Sequence, residues 1–219
     1  MRDGSGICGR ASPRRALASS TEMPVARPAV FLDRDGTIVR EVGYLRSPAQ
    51  LRLLPRAASA IRRLNDAGFA VIITTNQSGI ARGILTEADL ALTNETLQRR
   101  LARYRAHIDA FYFCPHHPEV GPPEYRRRCR CRKPSPGMLL RAAREFDLDL
   151  ARSFAVGDSA RDLLAGRNAG ARAILVRTGY GRQTEAQCGA GLPADHVADD
   201  LAGAADWILA QRGRRSARR

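Results

Sequence analysis

Apolar positions along this chain fall into two alternating patterns. Five short runs are almost continuously apolar: Ala29–Leu32, Phe69–Thr74, Ile108–Phe113, Ser153–Val156 and Ala173–Val176. Runs of this length, rich in β-branched and aromatic residues, read as strands buried on both faces. Between them the spacing changes to that of helices. Pro55 opens one that runs to Ala67 and stops at Gly68. Thr86 to Tyr104 reads as a second, with a capping box at Thr86 and Asp89 and one face of Leu90, Leu97, Leu101 and Tyr104. Pro136 starts a third through GMLLRAAREF, Ala160–Ala169 forms a fourth, and Asp200–Gln211 is a terminal helix carrying Trp207. Strands alternating with helices predict a parallel sheet covered on both faces, an α/β three-layer sandwich. The Gly-rich TGYGR at 178–182 follows the fifth strand and reads as a turn.

Composition narrows this picture. The 219 residues are 44% hydrophobic with a mean hydropathy of -0.32, which suits one globular domain. No stretch approaches ~20 apolar residues, so none is expected to span a membrane. Of the net charge of +14, +3 falls in residues 1–27 and +5 in 211–219, leaving +6 for the rest. The expected organisation is therefore a disordered basic extension over 1–27, a domain over 28–211 and a basic tail over 212–219. Met23, just before the first strand, offers a second start for translation. Aromatic residues make up only 5%, which gives few platforms for stacking nucleic-acid bases.

The chemistry begins at the end of the first strand, with Asp33-Arg34-Asp35-Gly36-Thr37. Residues two apart in extended chain project to one side, so Asp33 and Asp35 can reach one centre while Arg34 points away. Two carboxyls converging on one point call for a cation between them, and a hard divalent ion with oxygen ligands suits them. Thr75-Asn76-Gln77-Ser78 follows the second strand, and Gly157-Asp158-Ser159-Ala160-Arg161-Asp162 the fourth. Asp158 closes its strand, where it can meet the metal, and Asp162 is four residues on. Lys133 precedes a helix in RKPSPG. In open α/β sheets sites form at the carboxyl ends of strands, where Asp33, Thr75 and Asp158 all stand.

This set resembles the four-motif pattern of the haloacid dehalogenase (HAD) superfamily over residues 28–180. The resemblance implies a Rossmann-like sheet of strand order 5-4-1-2-3, with Asp33 as nucleophile and Asp35 as general acid/base. It implies Thr75 and Lys133 holding the phosphoryl group, and Mg²⁺ held by Asp33, Asp158 and the backbone carbonyl of Asp35. The spacing between motifs leaves no room for a cap domain.

Five cysteines are present, and three of them cluster with histidine in Cys114-Pro115-His116-His117 and Cys129-Arg130-Cys131. Cys114, His116, Cys129 and Cys131 form a Cys₃His set of the kind that holds structural Zn²⁺, with His117 as an alternative to His116. Cys8 and Cys188 have no assigned role, and His107 and His196 read as structural or surface residues. The segments GYLRSP, TNQSGIARG, CPHHP and CRCRKPSPGMLL look like the heptose 1,7-bisphosphate 7-phosphatases, whose structural zinc maps to this same set. That narrower likeness implies substrate contacts from Glu41, Gly43, Tyr44, Thr75, Asn76, Gln77, Ser78, Arg132, Lys133 and Ser159. Glu41 departs from it, standing where many relatives carry Asp. The zinc loop ends at Arg132 and Lys133, so its folding aims both cations. Arg132 is suited to a second phosphate, which favours a bisphosphate. A cytoplasmic monomer acting on a small sugar phosphate is expected. Histidinol-phosphatase activity is the runner-up, followed by a nucleic-acid 3′-phosphatase and a basic nucleic-acid binder.

Overall fold

The computed structural model describes residues 10–11 and 26–216, with side chains from 26 to 211. The remainder of the expected N-terminal extension, with Cys8 and Met23, and positions 217–219 of the basic tail lie outside the described residues. Seven strands form one sheet: β1 (Arg10–Ala11), β2 (Ala29–Leu32), β3 (Ala70–Asn76), β4 (Ala110–Cys114), β5 (Phe154–Gly157), β6 (Arg172–Val176) and β7 (His196–Ala198). Their spatial order is β1-β4-β3-β2-β5-β6-β7. All neighbours pair in parallel except β1, which runs antiparallel to β4. Counted from β2 as the first strand, the inner five follow the expected 5-4-1-2-3 order, and β7 extends the sheet beyond it.

Period-two alternation assigns the side chains to two cores. Val30, Leu32, Val71, Ile73, Phe154 and Val156 face α1 (Ala57–Asp66), α2 (Glu87–Ala102) and α6 (Leu201–Ser216), meeting Ile61, Leu64, Leu97, Leu101 and Ile208. Ala29, Phe31, Ala70, Ile72 and Tyr112 face the other way. They pack on Met138, Leu139 and Ala142 of α3 (Gly137–Phe146) and on Ala165 of α4 (Ala160–Asn168). Both faces of the sheet are thus dry, as continuous apolar strands require.

Three short elements go beyond the expected set, the first being β1, which pairs with β4 from within the extension expected to be disordered. Helix α5 (Gly181–Cys188) begins right after the TGYG turn, and β7 follows it. The second helix ends at Ala102, two residues short of its predicted limit. Tyr104 therefore stays 55% exposed, while Leu90, Leu97 and Leu101 are buried. His196 stacks on Trp207 at 4.8 Å between ring centroids, a packing role. Cys188 is a free thiol. Among the described residues no helix is long and apolar enough to cross a membrane.

Candidate active site and metal clusters

Because β2 lies between β3 and β5, its carboxyl end is flanked by theirs. The Asp33 amide donates to Val156 O at 2.9 Å, carrying the sheet ladder up to the first motif. A cleft of about 180 Å³ opens over these ends. Every residue expected to bind substrate or act in catalysis lines it: Asp33, Asp35, Glu41, Gly43, Tyr44, Thr75, Asn76, Gln77, Ser78, Arg132, Lys133, Asp158 and Ser159. Asp162, Arg161 and Tyr180 line it as well.

Lys133 is the hub. Its Nζ lies 2.7 Å from Asp33 Oδ1 and 2.5 Å from Asp162 Oδ1, and it donates to Thr74 O at 2.7 Å. Although it comes from a loop, its backbone is held like a strand. Asn76 at the end of β3 accepts from Lys133 N at 3.0 Å and donates to Lys133 O at 3.1 Å through one side-chain amide. Burial works against the Lys133 charge, but Asp162 and Asp33 outweigh it and push its pKa up.

Carboxyl groups of Asp33, Asp158 and Asp162 come within 4.8 Å of one another. Burial, followed by the Asp33 and Asp162 charges, raises Asp158 to about 8. Burial also raises Asp33 to about 7, with Lys133 pulling the other way. Acids this close and this dry hold a proton near neutrality unless a cation replaces it, which is the behaviour of a divalent-metal site. Asp162 is already committed. Its Oδ2 accepts from Ser159 N at 3.0 Å and Ser159 Oγ at 2.6 Å, and its Oδ1 faces Lys133. The Ser159-x-x-Asp162 spacing is that of a capping box, a signal in the sequence that Asp162 folds back toward the strand end.

Two glycines make room for Asp158. Gly36, at φ 80°, and Gly179, at φ 54°, each approach so closely that a Cβ on either would stand 2.0 Å from Asp158 Oδ2. That oxygen instead accepts from Tyr180 N at 2.9 Å. The TGYG turn is thereby the fourth wall of the site.

Arg34 lies outside the cleft lining, but it is fully buried and folds back, donating to Asp35 Oδ2 from Nε at 3.2 Å and Nη2 at 3.0 Å. Alternation along extended chain applies within a strand, and here the chain has already left the sheet to turn through Gly36. Gln77 Nε2 donates to the same Asp35 oxygen at 2.9 Å and to Thr75 Oγ1 at 3.0 Å. Asp35 Oδ1 is buried with no partner. Glu41 accepts from Gly43 N through Oε1, and burial raises its pKa.

About the Cys₃His set the structure is specific. Cys114, Cys129 and Cys131 Sγ atoms lie 3.3–3.5 Å apart, with His116 Nδ1 3.6 Å from Cys114 and 3.5 Å from Cys131. A tetrahedral ion with bonds of about 2.3 Å to sulfur has ligand–ligand edges of about 3.8 Å, so the four atoms fit one slightly contracted tetrahedron. At such distances none of the three sulfurs is in a disulfide. The Cys114 pKa is pushed up by its contacts with Cys129 and Cys131 and then by burial, as expected of thiols packed together without a cation. His117 is not part of the set. Its Nδ1 accepts from Glu119 N and Val120 N at 3.1 and 3.2 Å, and Arg82 approaches its Nε2. From this loop Arg132 Nη1 donates back to His116 O at 3.0 Å, tying the cluster to the cleft.

Comparison with known proteins agrees with this geometry. Residues 130–204 match the HAD-hydrolase-like family. A D-glycero-D-manno-heptose-1,7-bisphosphate 7-phosphatase of Thermosynechococcus vestitus is 46% identical over 187 residues, 83% of this chain and 95% of that one. The chain belongs to the HAD-like phosphatases. The Escherichia coli D-glycero-beta-D-manno-heptose-1,7-bisphosphate 7-phosphatase is 41% identical over 83% of this chain and 88% of its own. A crystal structure of D,D-heptose 1,7-bisphosphate phosphatase from B. bronchiseptica, complexed with magnesium and phosphate, superposes with a TM-score of 0.76 at 42% identity. It covers 84% of this chain and 99% of that one. As a HAD-like phosphatase the protein is a phosphoric monoester hydrolase.

Proposed function

We propose that this enzyme removes the 7-phosphate of D-glycero-D-manno-heptose 1,7-bisphosphate through an aspartyl-phosphate on Asp33. The observation that carries the reading is the convergence of Asp33, Asp35, Asp158 and Lys133 in one cleft. Asp33, Asp158 and the Asp35 carbonyl fit Mg²⁺, because Asp33 and Asp158 keep oxygens that neither Lys133 nor a capping box has taken. Bound there, the ion supplies charge neutralisation for the phosphoryl oxygens.

The chain's own groups do the rest. Lys133 and the Thr75 hydroxyl hold the phosphoryl oxygens, and the lysine charge gains value as negative charge spreads onto them. A carboxylate oxygen of Asp33 bonds to phosphorus as the bond to the sugar oxygen breaks. Asp35 gives its proton to that leaving oxygen. Its carboxylate then takes a proton from water, whose oxygen attacks phosphorus and frees Asp33 and inorganic phosphate.

Cys114, His116, Cys129 and Cys131 fit Zn²⁺ as a structural staple that fixes the loop leading to Arg132 and Lys133. Arg132 and Arg161 stand in the cleft beyond Lys133 and suit a second phosphate. Histidinol phosphate has no second anion to offer them. The reading includes a cytoplasmic monomer. Its test is turnover by purified protein, with and without Mg²⁺, of the heptose bisphosphate, the heptose 7-phosphate and histidinol phosphate. The bisphosphate is expected to give the highest kcat/KM, and a preference for histidinol phosphate rejects the assignment.

A further inference from the structure

One buried charge plays no part in that scheme. Arg34 is 0% exposed, and a guanidinium is costly to bury unless its N–H groups are satisfied by partners of good geometry. Its partners are Asp35 and, through Nη1 at 3.1 Å, Asn94 Oδ1. Asn94 is itself 2% exposed on the inner face of α2, where a helix normally presents apolar residues. A polar pair is thus maintained in the dry layer directly beneath the cleft.

We infer that Arg34, held from behind by Asn94, is a positioning residue that fixes how the Asp35 carboxyl group is oriented at the cleft. Oδ2 receives three N–H donors, two from the Arg34 fork and one from Gln77 at 2.9 Å. An oxygen saturated in this way serves as the acceptor end of the carboxyl group. Oδ1, by contrast, is buried without a protein partner, so the hold on the group is entirely through Oδ2. Both guanidinium N–H groups converge on that one oxygen, and with Gln77 they pin the Oδ2 end of the carboxyl group from two sides. A proton delivered in a defined direction is what general acid catalysis requires. The inference rests on the proposed role of Asp35.

Leaving-group dependence tests it. A sugar alkoxide leaves only when protonated, whereas p-nitrophenolate leaves unaided, so kcat/KM for p-nitrophenyl phosphate does not need the Asp35 proton. Arg34→Met, similar in volume, is expected to lower kcat/KM on the heptose bisphosphate by about 10²–10³-fold, with KM within about threefold, and on p-nitrophenyl phosphate by less than about tenfold. Arg34→Lys keeps the charge but not the fork and is expected to recover only part of the loss. Asn94→Ala leaves Arg34 in place, so it stands in should Arg34→Met fail to fold, and a loss of about 5–20-fold with the same selectivity is expected. Equal losses on both substrates, or a loss expressed in KM, overturn the inference. An Asp35→Ala variant separates the two levels. If it keeps sugar-phosphate turnover, the role of Asp35 falls and this inference with it. If it shows the selective loss while Arg34→Met and Asn94→Ala do not, only the positioning role falls.

Discussion

The acid cluster at the strand ends and the thiol cluster on the adjoining loop pose the same physical problem and solve it differently. Each packs like-charged ligand groups where water is scarce. The acid cluster contains its own cation, because Lys133 Nζ sits between Asp33 and Asp162 at 2.7 and 2.5 Å. It also opens onto a cleft. The thiol cluster is closed and three of its four members are buried, with Arg127 Nη2 on the outer nitrogen of His116 at 2.8 Å. The first can stand empty and exchange its ion and substrate. The second, on the proposed reading, draws its cohesion from an ion, as structural zinc sites do.

Substitutions can break that contrast from either side. Asp33→Asn removes the proposed nucleophile but keeps the volume and relieves a crowded charge. Turnover is expected to fall by at least about 10⁴-fold with the far-UV spectrum and melting temperature retained, and retained activity would reject Asp33 as nucleophile. Cys129→Ser is expected to do the reverse, losing the bound zinc equivalent by elemental analysis and several degrees of Tm. The site is refuted if zinc content and stability are unchanged. Gly36→Ala places a Cβ on the Asp158 carboxylate at a positive φ, so a roughly tenfold or greater rise in the Mg²⁺ concentration needed for half-maximal rate is expected.

A smaller effect comes from pH. Asp33 and Asp158 are raised to about 7 and 8 when folded and lie near 4 when unfolded. Between these limits the native state binds more protons, so the stability of metal-free protein falls as pH rises from about 4 to 8. Mg²⁺ replaces those protons, and the Tm–pH curve of the loaded enzyme is expected to be flatter. Parallel curves with and without Mg²⁺ would remove the acid cluster as the metal site.

Much of this molecule is legible in its sequence because its strands are short, apolar and followed at once by motif residues. Ala29–Leu32 leading into Asp33 gives both the central strand and the reacting end. Legibility ends where polar residues are used inside the fold. Arg34 reads as pointing away from the centre by alternation, and it lies outside the cleft lining, but its burial against Asn94 and Asp35 is not legible. That depends on α2 crossing beneath the turn, a tertiary fact. Asp162 reads as a helix-face neighbour of Asp158, but Asp158 still belongs to the strand end, and the capping box at Ser159 brings the two together. Helix α5, GRQTEAQC, is too short and polar to announce itself, and β7 has only three residues.

The Asn76 amide that grips both backbone groups of Lys133 has an architectural result. It ties the lysine's position to the β3 terminus as well as to the loop that arrives from Cys114. The eighteen intervening residues form a cassette with both ends anchored at the sheet, by β4 on one side and by this clamp on the other. With Lys133 clamped at the sheet, the exposed middle of such a cassette can change length or charge with little effect on the ammonium group, which leaves substrate range room to diverge around fixed phosphoryl chemistry.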